Sequence, residues 1–174
     1  KNIFYGAYTR TTSFFDNTDL AAKGLPQGKE LALLEPFRDQ LPKEVFEDVY
    51  TLPTFEKGPR ENLRIAHSLL KEAGWIMKDG KLVHEKTGKP FVFEIILNIP
   101  DNEKIALAFA RNLKQLGIQA TVRTVDAAQY TNLQTTMNFD MILHFWGHSM
   151  SPGNEQTFYW SSKAADSPGT RNYP

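Results

Sequence analysis

Nine consecutive residues, Phe91 to Ile99 (FVFEIILNI), lie between Pro90 and Pro100 and place apolar side chains on both faces of an extended chain. Phe91, Phe93, Ile95, Leu97 and Ile99 alternate on one face, with Val92 and Ile96 on the other. That pattern predicts a central strand covered on both sides. Pro100 ends it, and Asp101 stands where it would cap a following helix whose stripe is Ile105, Phe109, Leu113 and Leu116. Gly117 stops that helix. Ile118 to Val125 sets Ile118, Ala120 and Val122 against Gln119, Thr121 and Arg123, which predicts an edge strand with one wet face. Asp126-Ala127-Ala128-Gln129 has capping-box spacing, and Tyr130, Leu133 and Met137 mark the inner face of a short helix. A third strand opens at Phe139, with Met141, Leu143 and Phe145 on the same face and Ile142 and Trp146 opposite.

Strands alternating with helices require parallel pairing through right-handed crossovers. One edge strand and two buried strands give the spatial order second, first, third. The carboxyl ends of the first and third strands, Asn98 to Asp101 and Trp146 to Ser149, then flank a topological switch point, where open α/β sheets bind ligands.

Upstream, Glu61 to Ala73 carries Ile65, Ala66, Leu69, Leu70 and Ala73 at helical spacing, and Gly74 falls at the C-terminal cap. Asp79-Gly80 is a two-residue hairpin turn between Ile76-Met77 and Leu82-Val83, and Thr87-Gly88-Lys89-Pro90 is a second turn. Before Pro59 the pattern breaks down. Prolines at 26, 36, 42, 53 and 59 and glycines at 24, 28 and 58 rule out long helices between Leu20 and Pro59. Short turns are expected there, pinned by Leu31, Leu33, Leu34, Phe37, Val45, Phe46 and Phe55. Lys1 to Phe15 is aromatic-rich without a period, and Arg10 within it reads as a surface ion-pair partner. Residues 1–60 are thus expected to form an irregular, short-helix segment packed on an α/β lobe at 61–174.

The 174 residues include 20 basic and 20 acidic side chains, so no net charge advertises nucleic acid or an anionic membrane. The absence of cysteine excludes disulfides and thiolate metal sites. Without an initiator Met or a terminating element, the chain reads as a piece of a longer protein. No phosphate-binding glycine motif follows a strand, which disfavours a nucleotide cofactor, and no other cofactor is expected.

Past Gly147 the apolar pattern gives way to His148, Ser149, Ser151, Asn154, Glu155 and Gln156, held between Trp146 and Phe158-Tyr159-Trp160. This loop is the candidate ligand site, either as a binding surface or as an ordinary polar loop after a strand. His144 and His148 are four residues apart, but along a strand that spans about 13 Å, so no metal is expected. Ser149 and Ser151 near His148 lack a nucleophile elbow, and no catalytic residue is assigned. A hydrolase-like enzyme using His148 with Ser149 or Glu155 is the competing reading. A ligand-free regulatory or chaperone domain is the third.

Arg60-Glu61-Asn62-Leu63-Arg64, Leu69-Leu70-Lys71-Glu72-Ala73-Gly74-Trp75, Gln115-Leu116-Gly117-Ile118 and Phe139-Asp140-Met141 running to Trp146 carry a family likeness. Together they resemble the C-terminal lobe of extracellular solute-binding proteins of family 5, whose fold is the type II periplasmic-binding-protein lobe. Ile3-Phe4-Tyr5-Gly6-Ala7-Tyr8-Thr9-Arg10, Gly24-Leu25-Pro26 and Pro152-Gly153-Asn154-Glu155-Gln156 are similar to the Yej-type peptide-binding branch. The resemblance implies a monomeric, non-enzymatic receptor in the periplasm or anchored at the cell surface. Such a receptor closes two lobes on an oligopeptide or peptide-like ligand and delivers it to an ABC permease. It implies a ligand wall at Trp146, and the switch point and the polar loop extend the candidate wall to Gly147, His148, Ser149, Asn154 and Glu155, joined by Asn98 from the first strand. Oligopeptide-binding members have an Asp for the peptide ammonium near the position of Ser149. Here Glu155, at a different spacing, is the candidate replacement.

Overall fold

The computed structural model describes residues 4–48, 58–147 and 149–173, and the chain divides into two units, Lys1–Glu56 and Lys57–Pro174. In the first, α1 (Gly28–Leu34) runs into a 3-10 segment, Glu35–Gln40, with Pro36 in its opening turn, where a missing N–H costs nothing. A single turn, α2 (Glu44–Glu47), follows. None of the described residues of this unit is fully buried. Leu33 and Phe37, expected as anchors, are 73% and 52% exposed, because the helical run turns them away from its inner face. Phe55 lies outside the described residues. The Arg38 guanidinium both pairs with Glu35 and lies 4.0 Å from the centre of the Phe46 ring.

The second unit begins with α3 (Pro59–Glu72), Pro59 at its first turn. β1 (Trp75–Lys78) and β2 (Lys81–His84) form the expected hairpin, with Asp79 and Gly80 both at positive φ, as a two-residue turn requires. A core of Leu82, Leu116 and Ile118 joins this hairpin to α3 and to the end of the next helix. Gly117 is indispensable to that join. Its φ is +76°, its carbonyl accepts the Leu82 N–H at 2.8 Å, and a Cβ there would lie 2.7 Å from the Leu82 nitrogen.

The main sheet comprises β3 (Val92–Leu97), β4 (Gln119–Thr124) and β5 (Met141–Ile142), all parallel, in the order β4-β3-β5. This is the order expected from the burial pattern. α4 (Glu103–Lys114) connects β3 to β4, and α5 (Ala127–Thr135) connects β4 to β5. The two crossovers run in opposite directions along the sheet, so right-handedness puts the helices on opposite faces. Ala106 of α4 accordingly packs with Ile95 and Leu97, whereas Tyr130 and Leu133 of α5 pack with Ile96.

Four local expectations are corrected. The opening end of β3 is wet on its second face: Val92 is exposed, and Glu94 makes a two-pronged ion pair with Arg123 at 2.9 and 2.7 Å. Ile99 lies past the end of the strand and is exposed. Asp101 sits inside a 3-10 turn, Pro100–Asn102, and Asn102 takes the cap position without a side-chain bond. Met137 adopts φ 53° beyond the end of α5 and so leaves the inner face. Asp126 does cap α5, accepting the Gln129 N–H at 2.8 Å.

Candidate ligand-binding site

The third strand is much shorter than its apolar pattern predicts. β5 pairs with β3 through Ile95↔Met141 and Ile96↔Ile142 only. Its start is tied down by Asp140, whose carboxylate accepts the Glu94 N–H at 2.9 Å. From Leu143 to Gly147 the backbone leaves the ladder, and Phe145, expected on the buried face, is 83% exposed.

Two tyrosines hold this departing segment. The Tyr130 hydroxyl, from α5, donates to the Leu143 carbonyl at 2.6 Å. The Tyr159 hydroxyl, from α6 (Glu155–Trp160), donates to the Gly147 carbonyl at 2.9 Å. Both tyrosines are buried, so each phenol satisfies its polar tip on a backbone acceptor while its ring fills the core. Burial pushes the Tyr130 phenol above its ordinary value, with Tyr173 adding to the shift.

Between these two anchor points Trp146 is half-buried among aromatic rings. Its ring centre lies 4.7 Å from His144, 4.9 Å from Tyr159, 5.2 Å from Trp160 and 5.6 Å from Tyr173. The His144 and Tyr159 contacts are edge-to-face, the geometry that aromatic quadrupoles favour. The Trp160 indole N–H is fixed in turn by the Gln156 side-chain oxygen at 3.1 Å. His144 is enclosed by Trp146 and Tyr173, its Nδ1 lies 3.3 Å from the Gln134 amide nitrogen, and its Nε2 is buried without a partner among the described residues. Desolvation, with Arg171 nearby, lowers its pKa. Both effects disfavour the charged imidazolium.

The other candidates separate into groups. Trp146 and Gly147 belong to the anchored segment. Ser149 donates to the Ser151 carbonyl and so closes the loop on itself. Asn154 is exposed at the head of α6 without a capping bond, and Glu155 accepts the Gly153 N–H at 2.9 Å and the Gln156 amide at 3.2 Å. His148 lies outside the described residues. Asn98 is exposed two residues beyond the Ile96–Ile142 pair. Missing from the sequence reading were Tyr130, Tyr159, Tyr173 and Arg171. The first two were visible only as inner-face or cluster aromatics, and the last two follow no periodic signal. Next to α6 lies a cavity of about 250 Å³ lined by Glu155, Phe158, Tyr159, Gly169, Thr170 and Arg171.

Residues 1–168 match the family described as bacterial extracellular solute-binding proteins, family 5 Middle. The chain belongs to this family. It is 49% identical to uncharacterized protein y4wM of Sinorhizobium fredii, over 99% of this chain and 26% of the relative. It is 41% identical to the probable peptide-binding protein YejA of Agrobacterium fabrum, over 99% of this chain and 28% of that relative. The chain therefore spans little more than a quarter of the length of these curated relatives. Among solved structures, the oligopeptide-binding protein AppA of Bacillus subtilis, in complex with a nonapeptide, aligns with a TM-score of 0.53 at 24% identity, covering 76% of this chain and 23% of that one. The fold of this family 5 chain is thus that of a type II periplasmic-binding-protein lobe. Its family is extracellular, and among the described residues no helix is long and apolar enough to cross a membrane.

Proposed function

We propose that this chain is part of the substrate-binding component of an ABC importer that captures oligopeptides or peptide-like solutes in the periplasm. The observation that carries this reading is the segment Leu143–Gly147, which runs off the end of a parallel sheet and is held at both ends by tyrosine hydroxyls. A ligand wall needs fixed geometry because any ordering left until binding subtracts from affinity. Trp146 offers an aromatic surface, and the backbone beyond β5 offers polar groups outside the sheet ladder, the combination that extended peptides use. Gly147, His148, Ser149, Asn154 and Glu155 continue the wall, and Asn98 flanks it from the end of β3. A second lobe supplies the opposite wall, closing about a hinge. The ligand is then handed on unaltered to a membrane permease by a receptor that acts as a monomer. The Agrobacterium fabrum relative is named a probable peptide-binding protein and the Bacillus subtilis structure an oligopeptide-binding protein, which favours this over the hydrolase-like reading.

Trp146→Ala in the full-length receptor carrying this chain is expected to lower peptide affinity about 30-fold, as for a central aromatic contact worth roughly 2 kcal/mol. Titration calorimetry with peptides released from the purified receptor measures it. Unchanged affinity, with the fold intact by circular dichroism, would remove Trp146 from the site.

A further inference from the structure

His144 is the titratable side chain inside the anchored segment Leu143–Gly147, and its ring is one of those that position Trp146. The two rings meet edge-to-face with centres 4.7 Å apart, and Tyr173 meets His144 at 4.8 Å in the same geometry. The Gln134 side-chain nitrogen, from α5, lies 3.3 Å from Nδ1, so the amide donates and Nδ1 accepts. That contact fits a neutral ring with its hydrogen on Nε2, the atom buried without a partner among the described residues.

A second proton belongs on Nδ1, where it would face the Gln134 amide hydrogens, donor against donor. The surroundings offer no compensation. Burial of the ring disfavours the imidazolium, Arg171 adds a like charge, and among the described residues no carboxylate acts on it. The phenols of Tyr173 and, from α5, Tyr130 are kept protonated by burial. Tyr159, the α6 residue packed on Trp146, is engaged with the Gly147 carbonyl, and Asp140 with the Glu94 N–H at the start of β5. A charged ring is therefore stabilised only by turning out to water. The segment past Ile142 lies outside the sheet ladder, so that displacement breaks no strand pairing.

Resting on the peptide-binding reading, we propose that His144 is a proton-operated latch of the ligand wall: the neutral ring holds Trp146 in its binding position, and protonation frees the segment and releases the peptide. His144 acts as a positioning residue, through Trp146. Binding then requires the neutral ring, so each peptide released in acid takes up one proton, and affinity falls about tenfold for every pH unit below the folded pKa of His144.

The test uses the full-length receptor, wild type and two variants that cannot titrate at this position, His144→Phe and His144→Gln. The probe is a pool of tri- to pentapeptides free of Asp, Glu and His, whose termini keep their charge from about pH 6.5 down to about pH 4.5. Calorimetry across that range is expected to show wild-type affinity falling on acidification with the slope given above, while circular dichroism stays constant. Either variant that folds is expected to lose the fall. A flat wild-type profile, or the same fall in the variants, overturns the latch and leaves the peptide-binding reading standing. If wild type binds no peptide at the upper pH, that reading falls, and the latch is decided on the ligand-free receptor. A step of indole emission with pH in wild type, absent from the variants, supports it; no step, or a step kept in the variants, overturns it.

Discussion

The sheet and the aromatic segment beyond it solve the same problem of order by different means. In the sheet, Ile95, Ile96 and Leu97 are each 1% exposed and sit between α4 on one face and α5 on the other. Order there comes from apolar burial, worth roughly 1.5–3 kcal/mol per side chain of this kind, and it is indifferent to what lies outside. From Leu143 to Tyr173 the burial is uneven, with Tyr159 buried, His144, Trp146 and Tyr173 half-buried and Phe145, Phe158 and Trp160 exposed, and position is set by directed bonds from phenols and an indole to single acceptors. Directed bonds fix geometry while leaving surface available, at a much smaller stabilisation each. The proposed receptor lobe needs both: a closely packed sheet and a wall that still has surface to offer.

The largest effect separating the two regions is expected at Ile96. Ile96→Ala removes a fully buried side chain packed between Val125 and Tyr130, and should destabilise the lobe by about 2–5 kcal/mol, read by urea unfolding. A loss well below 1 kcal/mol would mean that the sheet is not the source of rigidity. Smaller, and confined to the wall, is Tyr159→Phe. The ring stays and the bond to the Gly147 carbonyl goes, at a cost of about 1 kcal/mol. Ligand affinity and Trp146 fluorescence should change while the urea midpoint falls less than in Ile96→Ala; a lowered midpoint with affinity and fluorescence unchanged would make Tyr159 a core residue only.

The smallest effect is a pH dependence located in the wall. The folded pKa of His144 lies below the ordinary value of 6.5, chiefly through desolvation, with the Arg171 charge adding to it. The groups around it are the Gln134 amide from α5, the phenol of Tyr173, the indole of Trp146 and the Arg171 guanidinium. As pH falls through 6.5, the unfolded chain takes up a proton that the folded chain refuses. Stability is therefore full above that pH and declines below it, until the folded pKa is reached. Melting temperature followed across this window should fall on acidification, and His144→Phe should flatten the decline. An identical decline in the variant would assign the acid sensitivity to other groups.

The sheet was legible because its information is periodic. Alternation along Phe91–Ile99 and Ile118–Val125, with helical stripes between, leaves one economical parallel order, and β4-β3-β5 follows. The wall was legible only as a place. The switch point led to Trp146, but Tyr130 and Tyr159 bond to carbonyls 13 and 12 residues away, at distances that no period encodes. The apolar alternation through Phe145 also overstated the strand, because an exposed aromatic and a buried one look alike in a sequence. In the first unit, Leu33 and Phe37 misled for the same reason. Arg171 and Tyr173 carry no local pattern at all, and only the folded chain brings them beside His144.

The brevity of β5 also sets an order of assembly. β3, α4 and β4 are neighbours in both sequence and space and close short loops, whereas the chain leaving β4 must cross β3 to place β5 on its far side and is rewarded there by only two paired residues. The segment carrying Trp146 is therefore the last part of the sheet layer to dock and the first to detach when the fold fluctuates. A nascent chain gains its scaffold before the proposed binding surface.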